Sequence, residues 1–150
     1  MIPEAAGDSG AVLGIDPGSV RVGVAASDSS RTIATPLPVL PREPRVLWPA
    51  LSSECQARDV RSLIVGLPRR LDGTEGEAAA AARALAVEAE RALQLPVEFW
   101  DERLTTVQAE RDLIAAGATL RQRRRSIDSS AATLMLQSWL DSQRSRQRRS

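Results

Sequence analysis

The sequence predicts an α/β layered domain, a mixed sheet of about five strands flanked by helices in the order β-β-β-α-β-α-β-α-α. Three observations predict it. "AVLGID" (11–16) and "VRSLIVGLP" (60–68) are continuous apolar runs, as expected of strands covered on both faces. Three extended segments follow one another at the start, joined by short connections that make neighbours antiparallel. From residue 43 onward, helical periodicity alternates with extended runs, the pattern of a layered α/β domain.

The elements follow in order. "AVLGID" ends on Asp16, and Pro17-Gly18 turn the chain. "VRVGVAAS" (20–27) alternates, with Val20, Val22 and Val24 expected on one face. "TIATPLPVL" (32–40) carries Pro36 and Pro38, which place it at a sheet edge. "EPRVLWPALSSECQARD" (43–59) reads as a helix with Leu47, Trp48, Leu51 and Cys55 inward, and Pro49 suggests a kink or a later start. "RRLDG" follows the second buried strand as a loop. Thr74 and Glu77 have capping-box spacing before a helix of about 75–94, with Ala78, Ala82, Leu85, Ala89 and Leu93 inward. "LPVEFW" (95–100) is the last strand and runs into Asp101-Glu102. Thr105 and Gln108 suggest a second capping box, opening a helix to about 116 that Gly117 ends. "ATLRQRRRS" (118–126) reads as a polar, basic loop before a final helix of about 127–141.

Length fits a single domain over residues 1–150, with flexible tails at about 1–10 and 142–150. No apolar run approaches the roughly 18–20 residues of a membrane span. The N-terminal "MIPEAAGDSG" has neither a basic start nor an apolar stretch, so it does not read as a signal peptide. A cytoplasmic protein with no membrane partner is expected. Cys55 is the single cysteine, so an internal disulfide is impossible, and on a helix it reads as an inert small apolar residue.

Two missing residue types narrow the chemistry. Without histidine there are no Ser-His-Asp triads, His metal sites or His acid–base catalysis. All 20 basic residues are arginine, so a Walker P-loop and a Schiff-base lysine are also excluded. Carboxylates remain as the obvious reactive groups, and paired carboxylates usually work through a divalent metal. Charge is uneven: residues 121–150 hold 8 arginines against 2 acids, although the whole chain carries only +1. A basic end on a near-neutral chain suggests a polyanionic partner.

Asp16 lies at the carboxyl end of the first strand, Asp101 and Glu102 at that of the last. If those strands are parallel, all share one rim of the sheet, where open α/β sheets bind ligands. Counting along the final helix from Asp128 by 3, 4, 7, 8 and 11 reaches Ala131, Ala132, Met135, Leu136 and Trp139. Asp128 therefore continues the apolar stripe and is expected to face the sheet. Each acid has a plainer structural explanation: a turn residue, an ion-pair partner of Arg103, a helix N-terminal charge. Three acids at three rim positions would require three coincidences. Converging carboxylates repel, and Mg²⁺ or Mn²⁺ would relieve that repulsion. Arg121, Arg123, Arg124 and Arg125 lie just before Asp128 and suit phosphate-backbone contacts. The few aromatics all sit on elements with core partners, so recognition of shape is expected over base stacking.

"GIDPGSVRVGVAASD" (14–28), "TPLPVL" (35–40), "IVGLPRRLDG" (64–73), "PVEFWDERLTT" (96–106) and "IDSSAATLMLQSWL" (127–140) resemble the YqgF/RuvX-type proteins, the pre-16S rRNA nuclease or Holliday junction resolvase-like family. The resemblance covers about residues 11–141 in order, and "DERLTT" between a strand and a helix is its most specific part. It implies an RNase H-like fold and a metal-dependent phosphodiester hydrolase. It places the catalytic and metal-binding acids at Asp16, Glu102 and Asp128, favouring Glu102 over Asp101, between which strand alternation does not choose. It implies that Arg103, Thr105 and Thr106 hold the Glu102 loop or contact phosphate. "SIDSSAA" departs from the family, which more often has Val before the Asp and a basic residue soon after. The implied substrate is structured RNA, through 5′-end processing of pre-16S rRNA in ribosome biogenesis. The alternatives are branched DNA cleaved as a four-way junction, and a non-catalytic RNA-binding assembly module. A homodimer is compatible with any of these. "GIDPGSVRVGVA" also resembles the phosphate hairpin of actin- and hexokinase-like ATPases, but those need two lobes and this chain supplies one.

Overall fold

A computed structural model describes residues 9–105 and 120–149, with side chains over 9–105 and 131–146. Five strands form one sheet: β1 (Ala11–Pro17), β2 (Arg21–Ser27), β3 (Ala34–Pro41), β4 (Val60–Leu67) and β5 (Val97–Asp101). Their order is β3-β2-β1-β4-β5. β2 is antiparallel to both β1 and β3, while β4 is parallel to both β1 and β5. The mixed sheet and its proline-bearing edge strand are as the sequence predicts. Because β1, β4 and β5 run the same way, their carboxyl ends share a rim, and β2 begins there.

Helices cover both faces. α1 (Pro44–Arg58) and α2 (Glu77–Leu93) lie on one, α3 (Leu120–Arg149) on the other. Side chains alternate across the sheet, so each strand feeds two cores. Leu13, Ile15, Val22, Val24, Leu63 and Val65 pack with Leu47, Leu51 and Leu85 of the first helical layer. Val12, Ala25 and Ile64 pack with Ala132, Leu136, Trp139 and Leu140 of α3. Burial on both faces explains why β1 and β4 read as unbroken apolar runs. At Gly14 a side chain would bring its Cβ to 3.0 Å from Leu136 Cβ, so the glycine lets α3 lie close to the sheet. Cys55 is buried, and burial pushes its thiol up to about 11, which makes it inert at neutral pH.

Several local expectations change. Residues 120–126, expected as loop, are the start of α3, and 142–149, expected as a tail, continue it. Arginine and glutamine are good helix formers, and neither Gly nor Pro interrupts residues 118–149, so charge density alone misleads there. Thr74 does not cap α2. Gly76 is the N-cap, and Thr74 instead donates its backbone N–H and hydroxyl to Asp72 Oδ1 at 2.9 and 2.7 Å. Ala82, Leu85 and Ala89 are buried as expected and Leu93 packs partly against the core, whereas Ala78 is exposed and Ala79 and Ala86 complete the buried face. Pro49 lies inside α1 on its exposed side, and the helix starts at Pro44 without delay. Val20 belongs to the turn before β2 and is 73% exposed. Trp48 is only half-buried. Thr105, expected as an N-cap, already lies inside a helical turn over 102–105. Residues 106–116, Thr106 among them, and the side chains of Arg121, Arg123, Arg124, Arg125 and Asp128 lie outside the described residues. Among the described residues no helix is long and apolar enough to cross a membrane.

Candidate active site

The rim at the carboxyl ends of β1, β4 and β5 brings Asp16 and Glu102 together. Asp16 pairs across the sheet with Gly23 of β2, and both face the α3 side. In β5, Glu98 and Trp100 face α3, where Glu98 accepts a hydrogen bond from Trp139 Nε1; Phe99 faces the other layer. Glu102 continues the parity of Glu98 and Trp100, and its carboxylate lies on the α3 side over Gly66 of β4, where the chain turns helical. A Cβ at Gly66 would overlap Glu102 Oε1 and stand 2.9 Å from Met135 Sδ. The bare backbone of Gly66 is thus the space in which the Glu102 carboxyl sits.

Burial pushes Glu102 up to about 9, helped by its hydrogen bond with Asp16 and by the Asp16 and Asp101 charges. Two carboxyls therefore share a proton at neutral pH, Glu102 donating to Asp16. An oxygen-rich, proton-sharing pair at an open rim suits a hard divalent cation, which would take the proton's place. Among the described residues no third His, Cys, Asp or Glu completes a metal-binding group with them.

Asp101 does different work. It faces away from Asp16 and binds Arg103, whose Nε lies 3.0 Å from both carboxylate oxygens and whose Nη2 lies 2.6 Å from Oδ2. The Arg103 backbone N–H also donates to Asp101 Oδ1 at 3.0 Å. These hydrogen bonds hold the Asp101 carboxyl below its usual range, the reverse of its neighbour. Arg103 Nη1 reaches the Leu71 carbonyl at 3.4 Å, and Arg69 Nη1 approaches Asp101 at 4.0 Å. Asp101 thus gathers two guanidinium groups at the rim. Thr105 is buried and accepts a 2.6 Å hydrogen bond from Trp100 Nε1, tying the first helical turn after Glu102 back to β5.

Beside Asp16, on the side away from Glu102, is a cleft of about 390 Å³ lined by Asp16, Gly18, Arg21, Gly23, Val39, Ala131 and Ala132. Arg21 and Gly66 were not singled out from the sequence as site residues. The signal for Arg21 is present, since Arg21, Gly23 and Ala25 alternate with the inward valines and so share the Asp16 face.

The proton on Glu102 has a consequence for stability. The folded chain holds it across a pH range in which the unfolded chain, with an ordinary Glu near 4.5, does not. Folding then binds a proton, so this contribution to stability is complete below about pH 4.5 and is lost as pH rises toward about 9. In EDTA, Glu102→Gln should flatten the fall in Tm between pH 6 and 9 relative to wild type. Equal slopes would mean Glu102 is ionised in the folded protein.

The RuvX family profile, described as Holliday junction resolvase, matches residues 10–142. A Paracoccus denitrificans protein named "Putative pre-16S rRNA nuclease" is 44% identical over 139 residues, covering 92% of this chain and 88% of its own length. A protein of the same name from Cereibacter sphaeroides (strain ATCC 17025) is 42% identical over 137 residues, covering 89% of this chain and 84% of its own. The fold is RNase H-like: Thermus thermophilus RuvC, solved with a Holliday junction substrate, superposes with a TM-score of 0.58 at 15% identity, covering 91% of this chain and 95% of that one.

Proposed function

This chain belongs to the RuvX family, and from that premise we propose that it is a divalent-metal-dependent nuclease whose catalytic acids are Asp16, Glu102 and Asp128. The observation that carries the reading is the Asp16–Glu102 pair, held at the sheet rim over Gly66 and opening on the cleft beside α3. Asp16 and Glu102 would hold Mg²⁺ or Mn²⁺, with Asp128 as the third ligand. Bound there, a divalent cation would supply charge neutralisation at the phosphodiester and lower the pKa of a water.

The chain's own groups do the rest. Asp16 fixes one carboxylate at a strand end, where the backbone is rigid. Glu102 would give up its proton where a cation is bound, so cleavage is expected to rise with pH from neutrality. The Trp100–Thr105 hydrogen bond and the Asp101–Arg103 pair fix the backbone on either side of Glu102. Arg69 and Arg103 present guanidinium edges to substrate phosphates, with Asp101 as their positioning residue. Arg121, Arg123, Arg124 and Arg125, with Thr106, would add phosphate contacts.

The cellular substrate we propose is the 5′ extension of pre-16S rRNA, cut in the cytoplasm, as the names of the curated relatives suggest. The description of the family profile favours a second reading, cleavage of four-way DNA junctions. Cleavage of a 5′-extended rRNA precursor and of a four-way junction, side by side at matched salt and metal with Asp16→Asn as control, separates the two. Turnover of neither substrate would leave a non-catalytic binding protein.

The basic start of α3 makes a separate prediction. Each phosphate contact contributes roughly −0.7 to −0.9 to the slope of log affinity against log salt. Changing Arg121, Arg123, Arg124 and Arg125 together to Gln keeps helix propensity and should reduce the slope by about 3. It should weaken all sequences alike. An unchanged slope would make this stretch a solvated helix face.

A further inference from the structure

We infer that the cleft beside Asp16 is a subsite for the nucleotide adjoining the scissile phosphodiester, that Arg21 holds that nucleotide's phosphate, and that the subsite reads no base. This inference rests on the nuclease reading above and extends the same site toward the sheet edge.

The placement comes from strand alternation. Arg21 and Gly23 are two apart on β2, and Gly23 pairs with Asp16 on β1. All three line the cleft, which continues to Val39 on β3 and is walled by Ala131 and Ala132 of α3. A substrate strand with its reacting phosphate at Asp16 therefore meets Arg21 next on its way to the sheet edge. Arg21 is exposed, and among the described residues it makes no hydrogen bond or ion pair, unlike Arg103 and Arg83, which are held by carboxylates. Its guanidinium fork is available to a phosphate in the bidentate manner that arginine favours.

Gly23 supplies an independent observation. Glycine inside a strand weakens it, and often marks a close approach by backbone or ligand. Here the packing does not require it. A Cβ would meet Ala132 Cβ at 3.4 Å and Asp16 Cβ at 3.5 Å, both ordinary contacts. This contrasts with Gly18, where a Cβ would overlap the Arg21 carbonyl, and with Gly66, where it would displace Glu102. The missing side chain at Gly23 leaves the cleft floor open without serving the fold. At about 390 Å³ the cleft lies near the small end of ligand pockets and suits one nucleotide rather than a duplex. Among the described residues its lining side chains, apart from Asp16 and Arg21, carry no hydrogen-bonding group, and Val39, 42% exposed, offers a plain apolar wall. Nothing there distinguishes one base edge from another.

The test measures binding apart from cleavage. Full-length Asp16→Asn protein is titrated with a fluorescein-labelled single-stranded RNA octamer in EDTA, by anisotropy, over a series of salt concentrations. Adding Arg21→Gln should weaken binding by about tenfold at low salt and reduce the salt slope by about 0.7. Arg21→Lys should restore most of the slope. Gly23→Val should weaken binding at every salt with the slope unchanged and the circular dichroism spectrum retained. Oligo-A and oligo-U octamers should respond alike to both changes. An unaltered slope in Arg21→Gln, or an Arg21 effect confined to one base, would overturn the subsite. If wild type cleaves while Arg21→Gln binds like its parent, the subsite fails and the nuclease reading stands. If the Arg21 and Gly23 effects appear while wild type cleaves nothing, the binding subsite stands and catalysis fails.

Discussion

Asp16→Asn should abolish cleavage, a loss on the order of 10³-fold or more, and make the metal-free protein more stable. The two effects have one origin. In the wild type, burial first, then the hydrogen bond with Asp16 and the Asp16 and Asp101 charges, keep the Glu102 carboxyl protonated at neutral pH. Asparagine keeps the shape of Asp16, removes its charge and offers an N–H donor to an ionised Glu102. The cost of keeping Glu102 ionised in the folded protein then falls. Relief of this kind at functional sites commonly amounts to about 0.5–2 kcal/mol, or about 1–8 °C in Tm for a chain of this size. The pH dependence of Tm between 6 and 9 should become shallower, since Asp16 helps to hold Glu102 protonated. Added Mg²⁺ or Mn²⁺ should raise the Tm of the wild type, because a ligand that binds only the folded state stabilises it. It should raise that of the variant much less. A pure turn residue behaves otherwise: Asp16→Asn would melt earlier and keep both the metal response and the activity. Melting curves in EDTA and in metal, with cleavage rates for both proteins, separate the two accounts.

The features legible in sequence were those with a local physical signature. Asp16 ends an apolar strand at a Pro-Gly turn, and Pro36 and Pro38 mark an edge, so both could be placed without tertiary information. The choice between Asp101 and Glu102 could not be made that way. β5 carries Phe99 and Trp100 on opposite faces, each packed against a helical layer, so alternation gives no polarity contrast. Alternation from Glu98 and Trp100 puts Glu102 on the α3 face and Asp101 with Phe99 on the other, but only once α3 is known to lie on the Trp100 side. Gly66 reads as the end of a strand because its purpose, making room for a carboxyl from another segment, is a long-range contact. Residues 120–126 misled in the opposite sense. Six consecutive polar residues look like loop, yet the helix propensity of arginine and glutamine is high and α3 runs through them. Arg21 alternates with the inward valines of β2, and the face it shares with Gly23 lines the cleft.

Gly66→Ala should separate the position of Glu102 from its identity. Gly66 sits in β4 without a positive φ, so alanine meets no backbone strain there. The added Cβ overlaps Glu102 Oε1 and crowds Met135 Sδ at 2.9 Å. Both are far ends of flexible side chains, which move at small cost, so stability should change by no more than about 1–2 kcal/mol. The catalytic carboxyl, however, loses its place. Misplacing a reacting group by about 1 Å can cost on the order of 10²-fold in rate, and that is the expected fall in cleavage. Glu102 should also leave its desolvated position, and its pKa should return toward the ordinary carboxylate range. The Tm of Gly66→Ala in EDTA should therefore fall less than that of wild type between pH 6 and 9. Gly14→Ala is the matched control. Its Cβ meets Leu136 Cβ at 3.0 Å, in the packing between β1 and α3 and away from the carboxyls. That variant should lose stability while keeping its pH slope and most of its turnover. Wild-type cleavage by Gly66→Ala would mean that catalysis does not need Glu102 over β4, and the proposed carboxylate pair would have to be abandoned.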